Sequence, residues 1–491
     1  MSNFAQRLVK TWVELGPRYL PFADVATPDL PFSRLLRLSL FQVSVGMALV
    51  LLVGTLNRVM IVEMGVPASL VGIMIALPVL AAPFRAFIGF SSDNHQCELG
   101  WRRVPFIWKG TMLQFGGFAI MPFALLVLAG MGEASSAPAW VGQGSAAIAF
   151  LLAGAGLHTV QTAGLALATD LTKPESHPKV VGLMYVMLLL GMIVSALVFG
   201  AALTNFTPGR LVQVIQGAAL MTMILNVTAM WKQETRNPPR GRAMPAPDPS
   251  FTESWQRFSR GHQAVRYLVI LGFGTLAFGM ADILLEPYGG QVLELSVAAT
   301  TKLTAVLAGG GLLGFVLASH ALGGPTGVSA HRIAQIGAFL GLPAFALVIV
   351  AEPFGLTGLF WIGNFLIGFG GALFGHGTLT ATINRAPADQ AGLALGAWGA
   401  VQATAAGVAM ALSGVIRDLV NIAVGTDGQL WMFEGVAAGY IVVYGLEILL
   451  LVMTLIAILP LVRAAANDSS RGDVADALNG ATAAAADHGS A

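Results

Sequence analysis

The sequence predicts an all-α polytopic membrane protein with twelve transmembrane helices, and three observations support this fold class. Of the 491 residues, 56% are hydrophobic and 10% are charged, whereas a soluble domain carries roughly 25% charged residues. The apolar residues form long continuous runs and lack the alternation typical of a transmembrane β-barrel. A polar stretch, residues 232–264, divides the runs six and six. We therefore predict two bundles of six helices.

Each predicted span is a run of about 20 or more mostly apolar residues, the length that crosses a bilayer. The first six runs are 36–60, 68–90, 105–130, 141–168, 179–203 and 210–231. The second six are 265–288, 296–320, 332–351, 355–382, 390–416 and 432–463. The predicted domains are an N-terminal segment (1–35), a first bundle (36–231), a linker (232–264), a second bundle (265–463) and a disordered tail (464–491).

Two short amphipathic helices are predicted on the membrane surface, outside the spans. In the linker, "SFTESWQRFSR" places Phe251, Trp255 and Phe258 on one helical face, after a start with capping-box spacing. Residues 3–15 show a similar apolar face. We expect both helices to anchor the chain to membrane lipids.

The distribution of Lys and Arg orients the spans. One set of span ends, together with the linker, carries most of the cations, while the opposite ends hold Arg58, Arg210 and Arg417. Cytoplasmic loops are the ones enriched in Lys and Arg. Both termini are therefore predicted to be cytoplasmic.

The two halves resemble weak copies of each other. The run "VEMGVPASLVGIMIA" (62–76) aligns without gaps with "LELSVAATTKLTAVL" (293–307), and each leads from a loop into a span. Two parallel halves of six spans form the architecture of major facilitator transporters. We predict that fold.

Composition and motifs exclude several function classes. A net charge of +1 leaves no basic domain for nucleic acid, and the single cysteine, Cys97, excludes an internal disulfide. "GGGLLG" (309–314) lies inside a predicted span, where small residues pack helices together, so it is not a nucleotide-binding loop. The sequence contains no nucleophile–base set and no metal-ligand cluster. We therefore expect no enzyme activity and no free metal or nucleotide cofactor.

The loop after the second span, "GFSSDNHQCELGWRR", contains Gly89, Asp93, Gly100, Arg102 and Arg103. It resembles the major-facilitator signature between the second and third helices, although the spacing from the Asp to the second Gly is longer. The resemblance implies that the Asp and the basic pair tie helix ends together and set a conformational equilibrium. The alternative is a positive cytoplasmic loop with an incidental Asp.

Two carboxylates, Asp282 and Glu286, interrupt the apolar seventh span in "GMADILLEPYGG". They are four residues apart on one helix face, and a charge inside a bilayer normally faces a cavity or a partner. Arg58 and Lys302 are the expected partners because they lie at similar depth in the first and eighth spans. Three roles stay open: an ion-pair lock, a proton-coupling site, and a contact for a ligand headgroup. Pro287 is expected to kink or end the helix.

Three histidines, His158, His320 and His376, lie inside or at the ends of predicted spans. A neutral imidazole is a common metal ligand and can bind the magnesium of a chlorophyll-type pigment. It can equally form a hydrogen bond across a helix interface. Each histidine is therefore a candidate ligand with a structural alternative.

The carboxylate run is part of "DILLEPYGGQVLELSVAATTKLTAV", which resembles the seventh-helix signature of the bacteriochlorophyll delivery (PucC/LhaA) family, a branch of the major facilitator superfamily. Two earlier segments also resemble this family. They are "RLLRLSLFQVSVGMALVLLVGTLNRVMIVEMGVPASLVG" (34–72), which looks closer to the LhaA type, and "APFRAFIGFSSDNHQCELGWRRVPFIWKG" (82–110). The resemblance spans residues 34 to about 460.

The resemblance implies a function that composition and spacing do not indicate. Members are assembly factors for bacterial light-harvesting complexes, so bacteriochlorophyll, or a late precursor, is the expected cargo. The expected partners are the light-harvesting α and β polypeptides, with pigment-synthesis or membrane-insertion machinery as further candidates. The LhaA-type segment points to the core antenna, LH1. The expected location is the bacterial inner membrane, including its intracytoplasmic photosynthetic part.

A second function class stays open: a proton-coupled solute transporter that keeps its carboxylates for coupling. Bacteriochlorophyll already partitions into lipid, so an aqueous alternating-access route would gain it little. The sequence-based hypothesis is a lateral opening between helices, through which pigment passes to a single-span polypeptide.

Overall fold

The computed structural model confirms an all-helical membrane protein with one small hairpin. It describes residues 31–80, 88, 92, 101–130, 138–173, 176–234, 264–323, 328–385, 391–425, 428–430 and 433–488. Within these ranges, eleven helices are long and apolar enough to cross a membrane. A shorter apolar helix, Ala68–Val79, lies where the second span is predicted. The two predicted surface helices lie outside the described residues.

Each helix carries the number of the predicted span to which it corresponds. The first six are α1 (Phe32–Glu63), α2 (Ala68–Leu80), α3 (Val104–Leu128), α4 (Ala139–Asp170), α5 (His177–Ala202) and α6 (Pro208–Met230). The others are α7a (Ala264–Ala281), α7b (Leu285–Gln291), α8 (Val297–Gly323), α9 (Ala330–Ala351), α10 (Thr357–Arg385), α11 (Ala391–Val424) and α12 (Ala437–His488). Strands β1 (Gln429–Leu430) and β2 (Phe433–Glu434) pair antiparallel before α12.

The chain divides into two compact units that differ from the predicted bundles. Unit 1 comprises Met1–Ala246 and Ile283–Ala308, and unit 2 comprises Pro247–Asp282 and Gly309–Ala491. Segment 283–308 therefore belongs with the first six helices, although the sequence assigns it to the second bundle. One boundary falls where the seventh span is interrupted, and the other falls in α8 at the start of the Gly309–Gly311 triplet.

Helix α1 forms the core of unit 1. In the most apolar stretch of this helix, 83% of the residues are buried. Its central and final turns, Val50–Thr55 and Val59–Glu63, are π-helical. It contacts α5 at Gly46, where a side chain would collide with the backbone around Leu188. A π turn inserts an extra residue into an α-helix and often marks a functional position.

The seventh span breaks one turn earlier than its proline. The helix ends at Ala281 and resumes at Leu285, whereas the predicted span runs continuously to residue 288. Pro287 lacks an N–H group, and its ring clashes with the carbonyl four residues before it, that of Ile283. The break therefore appears around Ile283.

The last span starts later than predicted and ends at the predicted residue, Arg463, while its helix continues further. The β hairpin and Gly435, which has a positive φ of 52°, precede α12 and delay its start from residue 432 to Ala437. The helix then continues to His488, where the sequence predicts a disordered tail from 464. The tail is rich in alanine, which has the highest helix propensity of all residues. The prediction of disorder gave this propensity too little weight.

The small residues of "GGGLLG" pack helices together, as predicted. A side chain added at Gly310 or Gly314 of α8 would collide with the backbone carbonyl of Phe365 or Phe369 on α10. Because these glycines have no side chains, the two helix backbones approach closely. The resulting van der Waals packing holds the helices together in lipid, where there is no hydrophobic driving force between them.

Adjacent glycines in α8 provide a matched test of this packing. We expect Gly310→Ala to destabilise the protein by about 1–3 kcal/mol, because its methyl group would meet the Phe365 carbonyl. Gly309→Ala meets nothing within 4 Å and should be neutral or stabilising by up to about 1 kcal/mol. Thermal unfolding of both variants in the same detergent measures the difference. Equal stabilities would contradict the packing role.

Candidate functional site

A buried polar contact fastens α7b to α1 in unit 1. The Asn57 side-chain amide donates to the backbone carbonyl of Ile283 at 2.7 Å. This carbonyl is the one that Pro287 deprives of its helical N–H partner. In a membrane interior an unsatisfied carbonyl costs several kcal/mol, so a side-chain donor must replace the missing bond. Asn57 supplies that donor, a role that the sequence analysis missed.

Arg58, the next residue, is buried and holds the segment that follows α7b. Its guanidinium forms an ion pair with Glu63 and donates to the Leu295 carbonyl at 3.1 Å. Gly290 lies directly beside it, since an added methyl group would sit 3.0 Å from Arg58 Nε. The sequence analysis missed Glu63 because residues five apart face different directions on an α-helix. The π turn in this region brings them together.

Glu286 is buried in the same unit, and its partner is a hydroxyl group. Thr304 of α8 donates to its Oε1, and Gly54 of α1 leaves the space that this oxygen occupies. Its Oε2 has no hydrogen-bond partner among the described residues. The carboxylate is thus held on one oxygen, between α1 and α8.

The predicted ion-pair lock of Glu286 with Arg58 or Lys302 is not formed in the structure. Arg58 pairs with Glu63, and no ion pair of the described residues includes Glu286. Lys302 is exposed, and its aliphatic stem lies against Gly200 of α5. Lys302 therefore directs its charge away from the buried carboxylate.

Asp282 lies in unit 2, which contains a second acid inside a span. It is partly buried and directly follows α7a, which packs against α12, where the side chain of Glu447 is fully buried. The sequence analysis missed Glu447, although it is the single acidic residue between Ala437 and Arg463. An ionisable residue inside an apolar span is itself a signal of function.

The three histidines occupy different environments. His158 is buried inside unit 1 and makes contacts there, which favours its structural role. His320 is exposed near the end of α8. His376 of α10 is partly buried, with Nε2 at 3.3 Å from Ser319 Oγ and its ring edge-on to Phe315 at 4.7 Å between centroids. Only His376 of these three combines surface access with positioned neighbours.

The basic end of the loop motif holds helix ends together in unit 1. Arg102 and Arg103 both pair with Asp170, the last residue of α4, at 2.7 and 2.9 Å. Arg103 also donates to Ser92 at 2.6 Å. The predicted motif residues Gly89, Asp93 and Gly100 lie outside the described residues.

Glu234, which the sequence analysis missed, caps the start of α3. Its carboxylate accepts hydrogen bonds from the backbone N–H groups of Arg102, Arg103 and Val104 at 2.7–3.1 Å. A carboxylate is favourable at a helix N-terminus, where the N–H groups lack helical acceptors. The basic pair is therefore fixed through its backbone as well as its side chains.

The described residues contain no group of three or more His, Cys, Asp or Glu residues that could hold a metal ion. A metal site built from the protein alone therefore has no candidate in this part of the chain. A single imidazole such as that of His376 can still provide one ligand to a metal that a pigment already holds.

The fold is that of major facilitator transporters. A bacterial homologue of the human lysosomal transporter Spinster, in an inward-facing and unoccupied conformation, aligns with a TM-score of 0.63 at 16% identity, covering 89% of this chain and 98% of that one. The D-xylose–proton symporter aligns with a TM-score of 0.62 at 14% identity, covering 87% and 96%. At these identities the likeness shows the fold alone.

Within that fold class, the chain belongs to the PucC family. The family profile described as "PUCC protein" matches residues 55–466. Two relatives are named "Protein PucC": one from Rhodovulum sulfidophilum, 61% identical over 86% of this chain and 93% of its own length, and one from Cereibacter sphaeroides, 55% identical over 95% and 99%. A more distant relative from Rhodobacter capsulatus, "Bacteriochlorophyll synthase 44.5 kDa chain", is 27% identical over 80% and 89%. The family resemblance found in the sequence is confirmed.

A double-mutant cycle tests the contact between Asn57 and α7b. We expect Asn57→Ala to lower the free energy of unfolding by about 1–3 kcal/mol, because the Ile283 carbonyl loses its donor. In a Pro287→Ala background, residue 287 has an N–H group that can bond this carbonyl, so the same substitution should cost less. Unfolding in detergent of the four proteins measures the coupling. Costs that do not depend on residue 287 would contradict the assignment.

Proposed function

We propose that the protein is an assembly factor for bacterial light-harvesting complexes that binds bacteriochlorophyll, or a late precursor, and delivers it to antenna polypeptides within the membrane. Membership of the PucC family, across residues 55–466, is the observation that carries this proposal. The name of the relative "Bacteriochlorophyll synthase 44.5 kDa chain" links that relative to the same pigment. The role as carrier, and not enzyme, is part of the proposal.

The proposed route for the pigment is lateral, through the lipid-facing surface. Bacteriochlorophyll is a largely apolar molecule that already partitions into lipid, so a carrier needs a site that opens toward the membrane. In unit 2, helix α8 exposes the side chains of Leu313, Val316 and Leu317. These turns lie beside His376 through its contacts with Phe315 and Ser319.

His376 is the proposed axial ligand for the magnesium of the pigment. Its exposure gives access from the membrane, while Phe315 and Ser319 hold the imidazole in one orientation. Gly375, next to it on α10, has open space where a side chain would project. A missing side chain beside a ligand leaves room for a large planar ring.

The partners and location follow from the same proposal. The recipients would be the single-span α and β polypeptides of the antenna, with pigment-synthesis or membrane-insertion machinery as the source side. The protein would lie in the inner or intracytoplasmic photosynthetic membrane with both termini in the cytoplasm. The LH1 core antenna remains the predicted target, although the two relatives named PucC match over nearly their whole length.

A proton-coupled solute transporter is the second candidate function. The buried carboxylates Glu286 and Glu447, each with an oxygen that lacks a hydrogen-bond partner, favour it. Proton-binding acids of this kind mark the relays of transporters. Uptake of a water-soluble solute that depends on a proton gradient would support this candidate.

Complementation of a deletion strain tests the pigment-ligand proposal. We expect His376→Leu to lower the absorption of assembled antenna complexes toward the level of the deletion strain, because Leu cannot bind magnesium. His320→Leu, a matched change of an exposed histidine, should restore assembly as the wild type does. Immunodetection checks that all variants reach equal protein levels. Normal antenna absorption with His376→Leu would contradict the assignment of this ligand.

A further inference from the structure

Glu447 is a buried acid for which pigment delivery provides no role. Its side chain is 0% exposed, and neither carboxylate oxygen has a hydrogen-bond partner among the described residues. It lies on α12, which packs against α7a, α9 and α11. An ionised carboxylate without partners in such surroundings is strongly unfavourable, so this group requires a bound cation or proton.

The helix geometry places Asp282 opposite Glu447. Phe278 of α7a and Leu451 of α12 both lie against Gly341 of α9. Helices α7a and α12 run antiparallel. One turn toward the C-terminus of α7a leads from Phe278 to Asp282, and one turn toward the N-terminus of α12 leads from Leu451 to Glu447. Both steps go in the same spatial direction.

The depths of the two acids agree with this placement. Residue 282 lies 16 residues after Arg266, and residue 447 lies 16 residues before Arg463. At 1.5 Å per residue, both are about 24 Å along their helices from the same side.

Other charged groups on the packed helices lie elsewhere. Arg417 and Asp418 of α11 pair with each other at 2.8 Å, and Arg417 lies over the ring of Tyr440, nearly two turns from Glu447. Tyr444 of α12, one turn before Glu447, is a further buried titratable group. The others stand at helix ends: Arg266 and Tyr267 on α7a, and His331, Arg332 and Glu352 on α9. No ion pair of the described residues includes Asp282 or Glu447.

We propose that Asp282 and Glu447 form a proton-binding site in unit 2, in which Glu447 carries the proton and Asp282 the charge. Two neighbouring carboxylates in an apolar site do not both ionise, and the more buried one is the more costly to charge. Asp282, which is partly exposed, is the better site for the charge. A divalent metal would require more ligands, and this part of the chain offers no third acid or histidine within a metal-binding group.

Proton release from this site would act on the interruption of the seventh span. Asp282 is the first residue after α7a, so a second negative charge on α12 would repel the end of that helix. Proton binding thereby favours the packing of α7a against α12. This inference does not rest on the proposed function, because the site would bind a proton with either pigment or solute as cargo.

Infrared spectroscopy of purified full-length protein in nanodiscs tests the site. At pH 7, the difference spectrum between wild type and Glu447→Gln should show the loss of a protonated-carboxyl carbonyl band. Asp282→Asn should keep that band and lose an ionised-carboxylate band. Glu294→Gln, a change of an exposed acid at the end of the same span, should leave the protonated band unchanged.

The two substitutions show which acid carries the proton, because each of them removes a different carboxyl group of the proposed site. Loss of an ionised-carboxylate band in Glu447→Gln, or loss of the protonated band in Asp282→Asn, would overturn the proposal. If Glu447→Gln does not fold, as judged by size-exclusion chromatography, the Asp282→Asn spectrum alone decides between the two results. Neither measurement requires bound pigment, so a failed pigment assignment would leave this test intact.

Discussion

The carbonyl group of Ile283 sets the constraint on which unit 1 depends. In lipid no water can satisfy a backbone group that loses its helical partner, and Pro287 removes that partner. Asn57 replaces it, and the neighbouring Arg58 binds the Leu295 carbonyl. These two contacts tie α7b and the following turn to α1. They explain why segment 283–308 groups with the first six helices although it lies in the second half of the sequence.

The polar side chains of the two units differ in the contacts that they make. In unit 1, Arg58 pairs with Glu63, Thr304 donates to one oxygen of Glu286, and the basic pair of the loop motif binds Asp170. Such contacts hold helices in place. In unit 2, the acid Glu447 has no hydrogen-bond partner among the described residues, and His376 is partly exposed. The proposed proton-binding site and the proposed pigment ligand both lie in unit 2.

The sequence predicts the fold because hydropathy and length alone define spans in a bilayer. It also locates the seventh-span break to within one turn, since the chemistry of Pro287 is local. The sequence analysis did not predict that Arg58 pairs with Glu63, because an α-helical spacing hides contacts that a π turn creates. It overlooked Glu447, although an acid inside an apolar span is itself a signal of function. What the sequence does not show is that α12 packs against α7a, which leads to Asp282, more than 160 residues away in the chain. Long-range pairs of this kind become visible only when the helices are packed.

Pigment held inside the membrane is the property on which the proposed function rests. The most direct measurement is the absorption spectrum of the protein purified in native lipid from photosynthetically grown cells, with the pigment quantified per chain after extraction. Bacteriochlorophyll or a late precursor that co-purifies with the wild type in a fixed ratio is the predicted result. A colourless protein from cells that contain abundant pigment, together with proton-dependent uptake of a water-soluble solute, would contradict it.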